Sequence, residues 1–227
     1  MIGIFDSGEG GRNALYEIRK RAPWIDVCYL ADRKNAPYGT KSRDELVELV
    51  SRDVERLLSF GASKILMACC TASTVHPLLE KRLRSASIPI ISPTAHEAAR
   101  LTKNGKVGVI ATAATVNSGA FREELLSCGI KEVVEVKAQP LVEIVEKSLL
   151  YGNGGQDSAR MIRDILRPIK EFGADALILG CTHFCRLKNI ISGALPGVEM
   201  ISSSRAGAIE VLKNAPCRGR GQTVYME

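Results

Sequence analysis

The stretch Ile2-Gly3-Ile4-Phe5-Asp6-Ser7-Gly8 decides the fold, because a short apolar strand here leads directly into a polar, glycine-containing turn. The same order returns near the middle of the chain, at Val107-Gly108-Val109-Ile110-Ala111-Thr112. A strand that ends in a turn and a helix start is the opening unit of a parallel α/β structure. The echo therefore predicts two related halves with similar folds.

Short runs rich in β-branched residues recur along the chain and alternate with longer helical patterns. One such pattern, from Arg43 to Phe60, places leucines and valines three and four residues apart, as on one face of an amphipathic helix. This alternation predicts parallel sheets that are covered by helices on both faces. The predicted strands are Ile2 to Phe5, Val27 to Leu30, Ile65 to Met67, Ile88 to Ile91, Val107 to Ile110, Val133 to Val136, Ala176 to Leu179 and Val198 to Ile201.

The predicted fold class is α/β, with two pseudo-symmetric parallel-sheet domains and the active site in the cleft between them. The length of 227 residues supports two domains, because single domains most often have about 100 to 150 residues. Pro93 is expected to mark a break before a helix, at the first crossing between domains. The expected divisions are residues 1–93 and 94–203, with a C-terminal segment, 204–227, that returns to the first domain.

Composition excludes several classes of function. The 31 Lys and Arg against 25 Asp and Glu give a net charge of +6, but the basic residues are dispersed and aromatic residues are few, so we expect no nucleic-acid partner. We also expect no membrane partner, because apolar runs are short. The N-terminus lacks the pattern of a signal peptide, and seven cysteines make an odd number. These features predict a cytoplasmic protein without disulfides.

Two cysteines, Cys69 and Cys181, each follow an apolar run and stand close before a threonine. Ligands of parallel sheets bind beyond the carboxyl ends of the strands, where both cysteines are predicted. A helix N-terminus lowers the pKa of a thiol, so we expect these thiols to act as acid and base near neutrality. If the two halves face each other, one thiol removes a proton and the other replaces it from the opposite side. Such a pair would invert a stereocentre without a cofactor.

The turn Asp6-Ser7-Gly8-Glu9-Gly10-Gly11 suits a carboxylate or phosphate group, because its glycines permit close approach to backbone amides. Asn13 stands where a dinucleotide-binding motif needs glycine, which argues against an NAD site. Asp6 is either the N-cap of the following helix or an acid-base group. Asp32 and the later Pro37-Tyr38-Gly39-Thr40 form either an ordinary turn or a binding loop.

A zinc site is the competing use of the thiols. Cys181, His183 and Cys185, joined by Cys69 or Cys70, offer four suitable ligands, but they lack the usual Cys-x-x-Cys spacing. The adjacent Cys69 and Cys70 also suggest redox exchange, although a disulfide between neighbours closes a strained ring. His183 is either a structural histidine or an acid and orienting group. We expect neither a metal nor a cofactor.

Taken together, the motifs resemble those of the glutamate racemases, in the aspartate/glutamate racemase superfamily, and they follow the same order along residues 1 to about 205. The resemblance implies a cofactor-independent racemase with two catalytic thiols, which makes D-glutamate for peptidoglycan and is often a homodimer. The motifs are Ile2-Gly3-Ile4-Phe5-Asp6-Ser7-Gly8 with Gly10-Gly11, Pro37-Tyr38-Gly39-Thr40-Lys41-Ser42, Ala68-Cys69 with Thr71-Ala72-Ser73, Val107-Gly108-Val109-Ile110-Ala111-Thr112 with Thr115-Val116, and Gly180-Cys181-Thr182-His183.

Carried over by position, the resemblance implies that Cys69 and Cys181 are the catalytic thiols and that Asp6 and His183 assist them. It also implies that Glu146 supports the histidine, whereas the local sequence alone makes Glu146 a surface helix residue. The implied substrate-binding residues are Ser7, Tyr38, Gly39, Cys70, Thr71 and Thr182.

Several positions depart from the usual pattern of the family. Cys70 replaces an asparagine, which removes an amide able to donate and accept hydrogen bonds. Arg33 replaces a threonine, Glu9 and Arg12 replace apolar residues, and Phe184-Cys185 replaces Tyr-Pro. Two alternatives stay open at this point: a racemase of another acidic amino acid such as aspartate, and a protein of this fold that binds an acidic ligand without turnover.

Overall fold

The computed structural model describes residues 1–151, 156–213, 215 and 219–226, without the side chains of residues 146–151, 156 and 157. The strands are β1 (Ile2–Asp6), β2 (Val27–Ala31), β3 (Lys64–Met67), β4 (Ser87–Pro89), β5 (Lys106–Ala111), β6 (Glu132–Lys137), β7 (Ala176–Gly180), β8 (Glu199–Ser202) and β9 (Thr223–Met226). The α-helices are α1 (Arg12–Arg21), α2 (Arg43–Ser59), α3 (Cys70–Ser73), α4 (Lys81–Ala86), α5 (Ile91–Leu101), α6 (Ala113–Ser118), α7 (Ala120–Ser127), α8 (Gln139–Tyr151), α9 (Gln156–Phe172), α10 (Lys188–Ala194) and α11 (Ser203–Leu212). Short 3-10 helices span Arg33–Asn35, Tyr38–Thr40, His76–Leu78 and Thr182–Leu187.

The strands form two sheets in which all neighbours are parallel. The first sheet has the order β4-β3-β1-β2-β9, and the second has the order β6-β5-β7-β8. Read from the opposite edge, the second sheet is β8-β7-β5-β6. These strands correspond one by one to β4-β3-β1-β2, the first four strands of the first sheet. The predicted α/β class with two pseudo-symmetric parallel sheets is therefore confirmed. In both halves the strand that precedes a candidate cysteine, β3 or β7, lies beside the opening strand, β1 or β5.

The predicted helix from Arg43 to Phe60 is confirmed as α2, which begins with a capping box. The Ser42 side chain accepts from the Glu45 amide, and the Glu45 carboxylate accepts from the Ser42 amide. This reciprocal pair satisfies two backbone donors that the first turn of a helix leaves free. The helix buries its leucine and valine face against the first sheet.

The structure corrects the prediction around Pro93. β4 ends at Pro89, and α5 already begins at Ile91, so Pro93 lies inside the first turn of the helix and does not precede it. Proline fits there because the first turn needs no backbone N–H donor. The ninth strand, β9, was not predicted; it pairs with β2 at the edge of the first sheet. The proposed division into residues 1–93, 94–203 and 204–227 stays a prediction.

A shared apolar core holds the two sheets together. It includes Ile4 and Leu66 from the first sheet and Val109 and Ile178 from the second, with α1, α5 and α11 packed between them. Complete burial of one such side chain stabilises the fold by about 1.5 to 3 kcal/mol. The shared core places the carboxyl ends of both sheets around one space. Among the helices in the described ranges, none combines the length and apolar character needed to cross a membrane.

Candidate active site

A cavity of about 230 Å³ lies where the carboxyl ends of the two sheets meet. Sites for drug-sized ligands occupy about 300 to 1,000 Å³, so this cavity suits a molecule no larger than an amino acid. Its described lining residues come from both halves: Ser7, Gly8, Glu9, Arg33, Ala36, Pro37, Tyr38, Gly39, Cys69, Cys70, Thr71, Thr112, Gln139, Val142, Cys181, Thr182 and His183.

Cys69 lies in the first half, directly after β3, and is the N-cap of the short helix α3. Its Sγ atom accepts a hydrogen bond from the Ala72 amide at 3.5 Å and lies 3.5 Å from Ser7 Oγ. Only 7% of the residue surface is exposed. The thiol is thus directed into the cavity from the edge of the first sheet and held by two polar neighbours.

Cys181 occupies the equivalent place in the second half, directly after β7. Its backbone is extended, and its side chain does not cap the 3-10 helix that follows. The Sγ atom lies 3.5 Å from Nδ1 of His183, which also lines the cavity. An imidazole at this distance can exchange a proton with the thiol.

Asp6 lies at the end of β1 and is completely buried. It is not the N-cap of α1, a role taken by Gly11; instead its Oδ1 accepts from the Gly8 amide at 2.9 Å. The Thr182 hydroxyl, from the second half, donates to Asp6 Oδ2 at 3.4 Å. Burial raises the pKa of Asp6 to about 7, although the hydrogen bonds from Gly8, Gly11 and Thr182 oppose the rise. The carboxyl group can therefore take up or release a proton near neutrality.

The expectation that helix N-termini lower the pKa of the thiols is wrong for this structure. Burial raises the pKa of Cys69 to about 11, and the negative charge of Asp6 adds to the rise. Burial also raises the pKa of Cys181 and of Cys70 above the ordinary value. Loss of hydration outweighs the few hydrogen bonds that favour a thiolate. Burial therefore favours the protonated form of both thiols at neutral pH.

The loop after β2 brings Tyr38 and Gly39 to the cavity. The Tyr38 hydroxyl donates to Asp32 Oδ2 at 2.7 Å, and Arg52 Nη2 lies 3.0 Å from the same carboxylate oxygen. Burial disfavours the charge of Asp32, but hydrogen bonds from Tyr38 and Asn35, together with Arg52, hold its pKa below the ordinary value. Asp32 therefore acts from outside the cavity as the anchor of this loop.

Close packing keeps the loop against the second half. A Cβ atom at Gly39 would lie 2.9 Å from Gln139 Oε1 and 3.1 Å from Thr112 Cβ, so a larger residue here would displace the Gln139 side chain and crowd Thr112. A Cβ atom at Gly10 would overlap the Thr182 hydroxyl. Both glycines permit a close approach between the halves.

Three threonines form a hydroxyl cluster beside the cavity. Thr71 Oγ1 lies 3.0 Å from Thr112 Oγ1 and 3.1 Å from Thr115 Oγ1, and the last two are 2.9 Å apart. Thr112 was not predicted as a site residue, although the sequence similarity between the two opening strands aligns it with Ser7. Gln139 was also missed; it begins α8 after β6, where only the strand-end rule could have indicated it.

The structure brings together most of the predicted site residues. Glu146 is the exception, because its side chain lies outside the described residues. Cys185 points away from the cavity, toward Ser202 Oγ at 3.6 Å, so it does not join Cys181 and His183 in a ligand set. In the described part of the chain, no group of three or more His, Cys, Asp or Glu side chains could hold a metal ion.

Comparisons with known proteins agree with this fold. The chain is 36% identical over 225 residues to a glutamate racemase of Persephonella marina, covering 97% of this chain and 85% of that protein. Its fold matches a crystal structure of the glutamate racemase isoform RacE1 from Bacillus anthracis, with a TM-score of 0.88, 30% identity and coverage of 99% and 86%. It also matches a Francisella tularensis glutamate racemase solved with D-glutamate, with a TM-score of 0.83, 25% identity and coverage of 99% and 86%. Residues 22–211 match the family model described as Asp/Glu/Hydantoin racemase, and the chain belongs to this family.

Proposed function

We propose that this racemase interconverts L- and D-glutamate without a cofactor, with Cys69 and Cys181 as opposed acid and base. The observation that carries the proposal is the entry of both thiols into one small cavity from equivalent strands of the two halves. The similarity to glutamate racemases over nearly the whole chain supports the choice of substrate.

The proton balance of the reaction follows from this arrangement. One cysteine, as thiolate, removes the proton from the α-carbon, and the electron pair stays on the carbon. The other cysteine, as thiol, gives its proton to the opposite face. The two side chains have then exchanged protonation states, so the enzyme is ready for the reverse reaction without a cofactor.

Because burial raises the pKa of both thiols, this mechanism needs the thiolate to form when the substrate binds. The candidate proton acceptors are Asp6, with a pKa of about 7, and His183, whose Nδ1 lies 3.5 Å from Cys181 Sγ. The ammonium group of the substrate favours a nearby thiolate, since an opposite charge stabilises the ionised form. We propose that Asp6 serves Cys69 and that His183 serves Cys181.

Neutral groups in the cavity account for the remaining substrate contacts in this proposal. The hydroxyls of Ser7, Thr71 and Thr182 can donate to carboxylates or accept from the ammonium group. Gly39 offers backbone groups, and Tyr38 forms a wall whose hydroxyl is engaged with Asp32. Cys70, which is 2% exposed, is the last of the implied substrate-binding residues.

The test is incubation with L-glutamate in D2O, followed by chiral chromatography and mass spectrometry of the α-position. We expect inversion together with uptake of deuterium, both abolished when Cys69→Ala and Cys181→Ala are combined. Cys128→Ala is the matched control, because this half-exposed thiol lies outside the cavity. Neither inversion nor exchange with L-glutamate would contradict the proposed substrate. Racemisation by the double variant would contradict the mechanism.

A second candidate function is binding of an acidic amino acid without turnover. It is favoured by the raised pKa of Cys69, Cys70 and Cys181, because a cavity that disfavours thiolates makes a poor base. Calorimetry separates the two candidates when it is combined with the exchange assay. Binding of glutamate without α-proton exchange would favour this candidate, whereas exchange at a catalytic rate would exclude it.

We further propose that the enzyme works in the cytoplasm as a homodimer and supplies D-glutamate for peptidoglycan. A bacterial strain that requires external D-glutamate provides the test of the cellular role. Expression of the wild-type chain should restore growth without the supplement, while the double cysteine variant should not. Light scattering coupled to size-exclusion chromatography should give twice the 24.6 kDa mass of the chain.

A further inference from the structure

Two charged residues that line the cavity form an ion pair with each other. Glu9 belongs to the turn after β1, and Arg33 belongs to the 3-10 helix after β2. Arg33 Nη2 forms an ion pair with Glu9 Oε1. The two side chains are 52% and 38% exposed, so the pair faces both the cavity and solvent.

A second arginine competes for the same carboxylate. Arg12, at the start of α1, forms an ion pair with Glu9 Oε2, and its guanidinium lies 5.3 Å from the centre of the Tyr225 ring. The cluster of Arg12, Glu9 and Arg33 therefore contains two positive charges and one negative charge. Its net charge is +1 at neutral pH.

The charge of the cavity makes Arg33 distinctive. Among the cavity-lining residues that the structure describes, Arg33 alone carries a permanent positive charge, while Ser7, Thr71 and Thr182 are neutral. An acidic amino acid brings two carboxylates and one ammonium group, so it enters with a net negative charge. Asp32, the chain neighbour of Arg33, is engaged by Tyr38 and Arg52 and does not compete for the guanidinium.

We propose that Arg33 determines specificity for an acidic side chain by exchanging Glu9 for the distal carboxylate of the substrate. This inference rests on the proposed racemisation of glutamate and adds a residue that selects the substrate. The guanidinium fork binds a carboxylate through two parallel hydrogen bonds, and this geometry also fits the substrate. Because partly exposed ion pairs add little to stability, the protein can give up the contact with Glu9 at small cost.

Arg12 sets how readily Arg33 is released. Each carboxylate oxygen of Glu9 pairs with a different arginine, so the ion pair with one arginine weakens the ion pair with the other. Loss of Glu9 should remove one competitor of the substrate for the Arg33 guanidinium, whereas loss of Arg12 should leave Glu9 to bind Arg33 more firmly. The two substitutions therefore have opposite expected effects, which a general loss of stability would not produce. A purely long-range charge effect has the same signs, but it would not change the preference for L-glutamate over L-glutamine in proportion to the contact that Arg33 makes.

The test measures KM for L-glutamate by α-proton exchange, and Kd by calorimetry, in four variants. Arg33→Gln should raise both constants about tenfold with little change in kcat, and should reduce the preference for L-glutamate over L-glutamine. Glu9→Gln should lower both constants about two- to threefold, and Arg12→Gln should raise them about twofold. Lys34→Gln is the control, because this exposed neighbour of Arg33 does not line the cavity.

The outcomes separate this proposal from the proposed function. Normal exchange by the wild-type enzyme, with unchanged KM and selectivity in Arg33→Gln, would overturn the role of Arg33 alone. Binding of glutamate without exchange would refute the racemase activity, while the Kd series would still decide the role of Arg33. A wild-type chain that does not bind L-glutamate would overturn both proposals.

Discussion

Cys69 and Cys181 follow equivalent strands of the two halves, but their surroundings differ. Cys69 caps α3, accepting from the Ala72 amide, and lies beside Ser7 Oγ. Cys181 caps no helix and has the imidazole of His183 at 3.5 Å. The fold is duplicated, whereas the polar groups that surround the two thiols are not. A symmetric backbone can thus support an asymmetric acid-base pair.

The electrostatic difference between the two sides is equally clear. Asp6 is buried, and its negative charge raises the pKa of both thiols; it is the second largest cause for Cys69, after burial, but only the fourth for Cys181. The corresponding position of the second half is Ala111, so no carboxyl group occupies it. A carboxylate becomes neutral when it accepts a proton, but an imidazole becomes positive. The two sides should therefore respond differently to pH and to substitution.

The largest expected effect comes from removing one thiol at a time. Cys69→Ala and Cys181→Ala should each lower racemisation by about 1,000-fold or more, because each deletes an obligatory proton donor or acceptor. The remaining thiol should still exchange the α-proton of one enantiomer with retention of configuration. We expect the two variants to select opposite enantiomers, measured as deuterium uptake by L- and D-glutamate in D2O. Exchange of the same enantiomer by both variants would contradict opposed thiols.

Substitution of the assisting groups should have a smaller effect, about 100-fold in kcat. Because racemisation has an equilibrium constant of one, kcat/KM must fall equally in both directions in Asp6→Asn and in His183→Asn. The asymmetry should appear instead in the primary isotope effect. Asp6→Asn should raise this effect for one α-deuterated enantiomer and His183→Asn for the other. A rise for the same enantiomer in both variants would show that the two groups do not serve separate thiols.

The sequence predicted the duplicated part of this comparison better than the asymmetric part. Runs such as Val107 to Ile110 indicate strands because β-branched residues suit a buried parallel sheet, and the strand-end rule then located both cysteines. The edge strand β9 was missed because Thr-Val-Tyr-Met is short and its exposed residues, Val224 and Tyr225, give no clear pattern.

The pKa direction and the ionic cluster depend on tertiary structure. Local sequence showed a helix start after Cys69, which lowers a thiol pKa, but the stronger effect of burial comes from residues distant in the chain. The pairing of Arg33 with Glu9 joins two different strand ends, and neither residue indicates its partner by spacing. The same limit explains why Thr112 and Gln139 were not predicted in the cavity wall.

A third prediction concerns stability, and it compares the pH dependence that Asp6 contributes with that of Asp175, a carboxylate of the second half. The pKa of Asp6 is about 7 in the folded chain and 3.8 as its ordinary value, so ionisation opposes folding and wild-type stability falls as pH rises from about 4 to about 7. Asp6→Asn removes this penalty. We expect the variant to gain about 4 kcal/mol relative to wild type between pH 4 and pH 8, measured by urea unfolding.

Asp175→Asn supplies the control of opposite sign. Burial disfavours the charge of Asp175, but hydrogen bonds from the Thr102 hydroxyl and from the Lys103 and Asn104 amides keep its pKa below the ordinary value. Its contribution to stability is therefore present above pH 4 and is lost as the pH falls through the folded pKa. This variant should be less stable than wild type at pH 8 and approach it in acid. The same sign for both variants would contradict the contrast between the two carboxylates.

The smallest expected effect concerns Cys70, which separates Cys69 from Thr71, whereas Cys181 is followed directly by Thr182. An asparagine at position 70 would place an amide in the cavity wall, able both to donate to a carboxylate and to accept from an ammonium group. Cys70→Asn should lower KM about two- to fivefold with little change in kcat, because the thiols and their proton acceptors stay in place. Cys70→Ala removes the thiol without adding an amide and should leave KM unchanged or slightly raised. An equal decrease of KM in both variants would assign the effect to loss of the buried thiol. The Cys69 and Cys181 sides would then differ in their acid-base groups and not in how tightly they bind the substrate.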